Sequence, residues 1–211
     1  MKKVGILGSG AVGVTLANGF KKHGYDVVLG SRSVKKVDRW PEDTTAFADV
    51  ARSADIVVLA VGGEVARELV ASLADDLAGK IVIDTTNPID HNRQPENGVL
   101  PYFTSLDRSL MEDLQAAAKD AKFVKAFNSV GNGLMVNPDF GDQKPTMFIC
   151  GNDATAKAEV GEILEVFGWK VADMGQAEAA RAIEPLCMLW CILGFNNNEW
   201  THAFKLLRQS K

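Results

Sequence analysis

The stretch VGILGSGAVGVTLANGF, residues 4–20, decides the fold. Four strand-like apolar residues lead straight into Gly8-Ser9-Gly10-Ala11-Val12-Gly13, and an amphipathic run follows. A G-x-G-x-x-G loop is informative when it closes a strand and opens a helix, as it does here. The first glycine permits the tight turn and the second lets backbone approach a diphosphate. The third lets helix and strand pack closely, and the amides at the helix start then face an anion. The loop therefore points to a dinucleotide.

Working outward, apolar runs of strand length alternate with segments of helical period, the pattern of β-α-β units and a parallel sheet. Strands are expected at about 3–8, 26–30, 55–61, 80–84 and 122–127, with helices at 11–23, 46–53, 64–74 and 106–119. A later unit repeats the pattern: a strand at 146–151, Asn152 or Asp153 as helix cap, a helix to Phe167 stopped by Gly168, and a short strand in WKVADMG. From Gln176 the chain reads as helical to its end, with Pro185 kinking that helix or starting a new one. The fold class is α/β: a Rossmann-type, doubly wound, mostly parallel sheet with a small C-terminal α-rich part. The expected division is 1–128 for the nucleotide-binding domain and 129–211 for the smaller part.

The bulk numbers exclude several classes. With 46% hydrophobic and 24% charged residues, the 211-residue chain has material for a full core. A formal charge of −4 argues against nucleic acid as a partner, since that binding needs a basic face. Three unevenly spaced cysteines, Cys150, Cys187 and Cys191, do not make a disulfide framework and fit a reducing cytoplasm. Cys187 and Cys191 share a helical face, but no His or Asp beside them completes a metal-ligand set. The glycines of the N-terminal run are unlike a signal peptide, and no stretch has the roughly 18 apolar residues of a membrane span, so no membrane partner is expected.

The second strand chooses between dinucleotides. Its tip lies about 20 residues beyond the glycines, where NAD-binding chains place an acid on the ribose 2′-hydroxyl. Here it reads Gly30-Ser31-Arg32-Ser33. Arg32 offers a planar fork suited to phosphate, Ser31 and Ser33 offer hydroxyls, and Lys35 or Lys36 adds a second cation. An anionic 2′-phosphate is the partner these donors lack, so the expected cofactor is NADP. Two charge-assisted bonds of roughly 1.5–3 kcal/mol each would favour NADP over NAD by about two to four powers of ten.

Ligands of open parallel sheets lie beyond the carboxyl ends of the strands. The segments Ala60-Val61-Gly62-Gly63, Thr85-Thr86-Asn87-Pro88 and Ala126-Phe127-Asn128-Ser129 are therefore expected to line the diphosphate and nicotinamide, with Asn87 and Asn128 as candidate amide ligands. A simple ketone acceptor would need a proton donor. His91, Tyr102 and Lys125 are the candidates, and nothing in the sequence singles one out. A conjugated ring that spreads the arriving charge needs no such donor. The long irregular segment 86–105 reads equally well as a surface excursion or as a binding loop.

Taken together, ILGSGAVGVTLANGF, GSRSVKK, DIVVLAV, VIDTTNP, VKAFNS and GNDATAKAEVGEILEVFGWKVADMGQAEAARAIEPLCMLW resemble the NADP oxidoreductase family typified by coenzyme F(420)-dependent NADP reductases. The resemblance spans nearly the whole chain. It implies a Rossmann domain with a small C-terminal part, an 8-hydroxy-5-deazaflavin in the cleft between them, hydride exchange without a catalytic side chain, and a homodimer. Ser9, Ser31, Arg32 and Lys36 fall on that family's NADP-binding positions. Two other readings stay open: an NADPH-dependent reductase of flavin, ferric chelate or a small carbonyl or imine, and a non-catalytic NADPH-binding redox sensor.

Overall fold

The computed structural model describes residues 2–34 and 36–209. Strands β1 (Lys3–Leu7), β2 (Asp26–Ser31), β5 (Thr45–Ala46), β6 (Ile56–Leu59), β7 (Ile81–Asp84) and β8 (Lys122–Lys125) form one sheet in the order β5-β2-β1-β6-β7-β8. Every pairing in it is parallel. Val4, Ile6, Val58 and Ile83 face one core, Leu7, Val57, Leu59 and Val82 the other. Both faces are covered, which is why these strands read as unbroken apolar runs.

Helix α1 (Ala11–Lys22) and, further on, α6 (Ala154–Val166) cover the first face through Leu16, Phe20, Ile163 and Leu164. The opposite face is covered by α2 (Phe47–Ser53), α3 (Gly63–Ser72), α4 (Ala74–Leu77), α5 (Leu110–Ala117) and the long α7 (Ala180–Asn197). Strands β9 (Thr146–Ile149) and β10 (Lys170–Asp173) make a separate parallel pair around α6. It joins the main sheet edge through the Lys125 amide, which donates to the Cys150 carbonyl at 3.0 Å. As expected, Asp153 caps α6, accepting from the Ala156 amide at 2.7 Å, and Gly168 ends it with φ +96°.

Three features depart from the sequence reading. A hairpin of β3 (Lys36–Val37) and β4 (Trp40–Asp43) interrupts the path from β2 to α2, turning at Arg39 with φ 61° and burying Trp40. Pro185 does not begin a new helix, one of the two alternatives: α7 runs through it, and its ring nitrogen has no hydrogen to donate to the preceding turn. Nor does the helix reach the end of the chain. Asn198 stops it in the left-handed conformation (φ 55°), and the described tail returns to bond Thr146, whose amide donates to the Phe204 carbonyl at 2.8 Å.

Helix α5 begins with a capping box in which Ser109 and Glu112 satisfy each other's exposed amides. Arg181 of α7 grips the Glu112 carboxylate through Nε at 2.9 Å and Nη2 at 2.5 Å. The guanidinium, opposed by partial burial and helped by Ser109, holds that carboxyl down to about 2. A depressed carboxyl contributes stability above its ordinary value of 4.5 and loses it as pH falls through the folded value. Glu112→Gln should therefore cost about 1 kcal/mol near neutral pH, with solvent screening keeping it small. In urea titrations the gap to the wild type should narrow as pH falls from 4.5 towards 2.

Candidate functional site

Strand order reverses between β1 and β6, since the chain leaves β1 for β2 on one side and returns to β6 on the other. Helices above the two flanking connections diverge there and leave a crevice. Two adjoining clefts occupy it, of about 680 Å³ and about 290 Å³, and both touch Gly10 and Ala60-Val61-Gly62.

Backbone geometry makes the crevice possible. Gly8 has φ +134°, and a β-carbon there would lie 2.1 Å from the Ala60 carbonyl oxygen. A β-carbon on Gly13 would lie 1.8 Å from the Gly8 carbonyl oxygen. Only glycine permits either approach. Among the described residues, no side chain bonds the N-terminal amides of α1 or α3: their caps are Gly10 and Gly62. Two helix starts thus converge on the crevice with amides open to an anion.

The larger cleft lies on the β2 side and brings Gly8, Ser9 and Gly10 together with Ser31, Arg32 and Ser33. Arg32 is exposed and forms no ion pair among the described residues. The Ser31 hydroxyl is committed inward, to the Ser33 carbonyl and to Thr44 Oγ1 at 2.8 Å, so it shapes the turn under Arg32. Lys36 does not line the cleft: it lies in β3, paired opposite Asp43 of β4. Lys35 lies outside the described residues. The opposite wall was not read from sequence. It is built by Phe47 and by Val65, Glu68, Leu69 and Ser72 of α3. Val65, half exposed on a surface helix one turn before Leu69, was the available signal of an apolar wall suited to a flat base.

The smaller cleft lies towards β7. Gly10, Ala11 and Val12 form one side, Gly62 and Gly63 another, and Thr85, Thr86, Asn87, Ile89 and His91 the third. Pro88, Ala126 and Asn128 are buried behind this wall. Asn128 supports it from the rear, its amide donating to Asn87 Oδ1 at 3.1 Å and to the Ile183 carbonyl at 3.0 Å. Asn87 Nδ2 in turn donates to the Asn128 carbonyl at 2.8 Å. Phe127, buried with φ 63°, makes the turn that brings the two asparagines together.

Behind the wall lies a buried charge cluster. Lys125 has none of its surface exposed, and its Nζ lies 2.7 Å from Asp84 Oδ2 and 3.0 Å from Glu184 Oε1. Nζ also donates to the Thr86 carbonyl at 2.9 Å. Burial alone would push the ammonium down, but the two carboxylates outweigh it and hold Lys125 above its ordinary range. Glu184 also accepts from the Leu110 and Met111 amides at 3.0 and 2.9 Å, and Asp84 Oδ1 from the Thr86 amide and hydroxyl at 2.9 and 2.7 Å. Tyr102 is withdrawn too, donating to the Glu184 carbonyl at 2.8 Å, with its phenol raised chiefly by burial.

A Rossmann-type α/β protein with an open crevice at the switch point is the class this fold defines. The model of the family described as NADP oxidoreductase, coenzyme F(420)-dependent, matches residues 3–88. A crystal structure of a candidate F(420)-dependent NADP-reductase from Arthrobacter sp. FB24 is similar over 99% of this chain and 100% of that one, at 33% identity and a TM-score of 0.90. The chain belongs to this family. The F(420)-dependent NADP reductase of Methanocaldococcus jannaschii is 26% identical, over 92% of each chain. Metalloreductase STEAP3 of Rattus norvegicus is 33% identical over 87% of this chain but only 36% of its own length. The chain spans about a third of the length of the curated metalloreductases it matches.

Removing the buried ammonium tests the wall. Lys125→Met leaves two carboxylates facing each other out of water and should cost about 3–5 kcal/mol in urea unfolding. Adding Asp84→Asn and Glu184→Gln to the same chain should recover part of that loss.

Proposed function

We propose that this protein is an NADP(H)-binding oxidoreductase that transfers a hydride between the nicotinamide and a second redox ring, a deazaflavin of the coenzyme F(420) type. The observation that carries the reading is Arg32 on the larger cleft, without an ion-pair partner among the described residues, beside a glycine loop and a helix start capped by glycine. In this reading the diphosphate rests on the α1 amides, the 2′-phosphate on Arg32, and the base against Val65 and Leu69. The nicotinamide then falls in the smaller cleft, where Gly62, Gly63 and Asn87 leave room for a second ring. Residues 1–128 form the NADP-binding domain and 129–211 the smaller part. Three free cysteines suit a cytoplasmic setting. Exposed Leu189, Leu193 and Phe195 of α7, with Trp200, suit a homodimer contact. The likeness to metalloreductases favours a second reading, a ferric chelate as final acceptor.

Arg32→Ala should weaken NADPH binding about 10- to 100-fold, the value of one charge-assisted bond, and leave NADH nearly unchanged. Titration of each nucleotide by fluorescence measures both. Equal losses would overturn the NADP assignment. Mixing NADPH and protein with F(420), flavin or ferric citrate would then identify the acceptor by which absorbance changes.

A further inference from the structure

Between β2 and α2 the chain leaves the main sheet for the hairpin of β3 and β4 and comes back beside the strand it left. On its return, β5 pairs in parallel with the tip of β2, Thr45 opposite Gly30 and Ala46 opposite Ser31. Thr44, the residue before β5, is buried, and its Oγ1 lies 2.8 Å from the buried Ser31 Oγ. The roles in that bond can be assigned. A serine hydroxyl has one hydrogen, and Ser31 donates it to the Ser33 carbonyl. Thr44 is therefore the donor to Ser31, so the returning chain holds the turn that carries Arg32 through a side chain as well as through backbone. The hairpin is tied down at its other end too. Trp40 packs into the core, the Asn18 side chain of α1 donates to the Arg39 carbonyl at 3.0 Å, and Lys21 of α1 meets Glu42 at 2.6 Å. One end of this clasp grips α1, whose start faces the crevice, and the other grips the turn beneath Arg32.

We propose that Thr44 is a positioning residue for the 2′-phosphate: it strengthens the preference for NADP over NAD by holding the Ser31–Ser33 turn in the shape that aims Arg32 into the larger cleft. This rests on the nucleotide reading above, which puts the 2′-phosphate on Arg32. Thr44 itself does not line the cleft, so it acts through the turn and not by contact. The need for such a support follows from the chemistry of the ligand. An exposed arginine has many rotamers to lose, and its planar fork meets phosphate oxygens in few orientations, so affinity depends on how much ordering is done before the ligand arrives. Among the described residues Arg32 has no ion-pair partner to steer it, and the backbone beneath it sets the direction in which it leaves the strand. The Ser31 hydroxyl ties the two ends of that turn together, and Thr44 fixes the hydroxyl. The effect is confined to the phosphorylated ribose, because the α1 amides that receive NAD and NADP alike belong to different backbone.

Titration of NADPH and of NADH into the full chain and its variants, followed by fluorescence, tests this. Thr44→Val keeps the shape and removes the hydroxyl; it should weaken NADPH about 3- to 10-fold, the size of one neutral hydrogen bond, and leave NADH unchanged. Thr44→Ala removes the same hydroxyl with a smaller side chain, should do the same, and serves where the valine variant does not fold. Thr44→Ser keeps the donor and should bind both nucleotides as the wild type does. In the Arg32→Ala background, adding Thr44→Val should weaken NADPH no further, because the group it positions is gone. A loss shared equally by NADPH and NADH overturns the positioning role, and so does a loss that adds in full to that of Arg32→Ala. Wild-type NADPH affinity in Thr44→Val overturns it as well. A wild type that does not distinguish NADPH from NADH refutes instead the nucleotide reading of the larger cleft, and this inference with it.

Discussion

One buried ammonium governs the half of the site on the β7 side. Lys125 touches Asp84 on the adjacent strand, Glu184 on α7 and the Thr86 carbonyl at the cleft wall, so three parts of the chain meet at a single Nζ. One cation against two carboxylates would be a poor arrangement by itself in a low-dielectric interior. The excess negative charge is met by the first amides of α5, which donate to Glu184, and by the Thr86 amide and hydroxyl, which donate to Asp84. The helix start and the strand end thus complete an ion cluster that a lone pair could not sustain.

The wall in front of this cluster is correspondingly fixed. Thr85, Thr86 and Asn87 each spend their side chains on the protein, and the asparagine pair with Asn128 ties the wall to α7 through the Ile183 carbonyl. Rigidity on this side contrasts with openness on the other, where Arg32 is exposed and the helix starts are capped by Gly10 and Gly62. The proposed hydride transfer would use this division: carbons held about 3–3.5 Å apart at one end, and an anchor for nucleotide from solvent at the other.

How much was legible in the sequence followed the range of the interaction. The glycine loop, its strand and its helix could be read because each requirement is met within a few neighbouring residues: a tight turn at Gly8, a close approach at Gly13, an amphipathic helix from Ala11. The strands that became the main sheet were likewise visible as apolar runs, and Arg32 stood out because the place of an absent acid can be counted along the chain.

Contacts between distant segments were not legible. Lys125 reads as the polar end of a strand, and nothing local reveals that Asp84 and Glu184 enclose it. Trp40 and its hairpin, the left-handed Phe127 and the apolar wall of α3 depend on partners brought up by the sheet. The same holds for the choice among His91, Tyr102 and Lys125. The sequence offered three proton donors of equal standing; burial withdrew Lys125, and a hydrogen bond to the Glu184 carbonyl engages Tyr102. By itself, then, the sequence determined the parallel α/β fold, the glycine loop and the cation at its flank, because short-range backbone geometry and hydrophobic period encode them. Tertiary structure decided which polar groups remain free to meet a ligand, because that depends on what each is packed against.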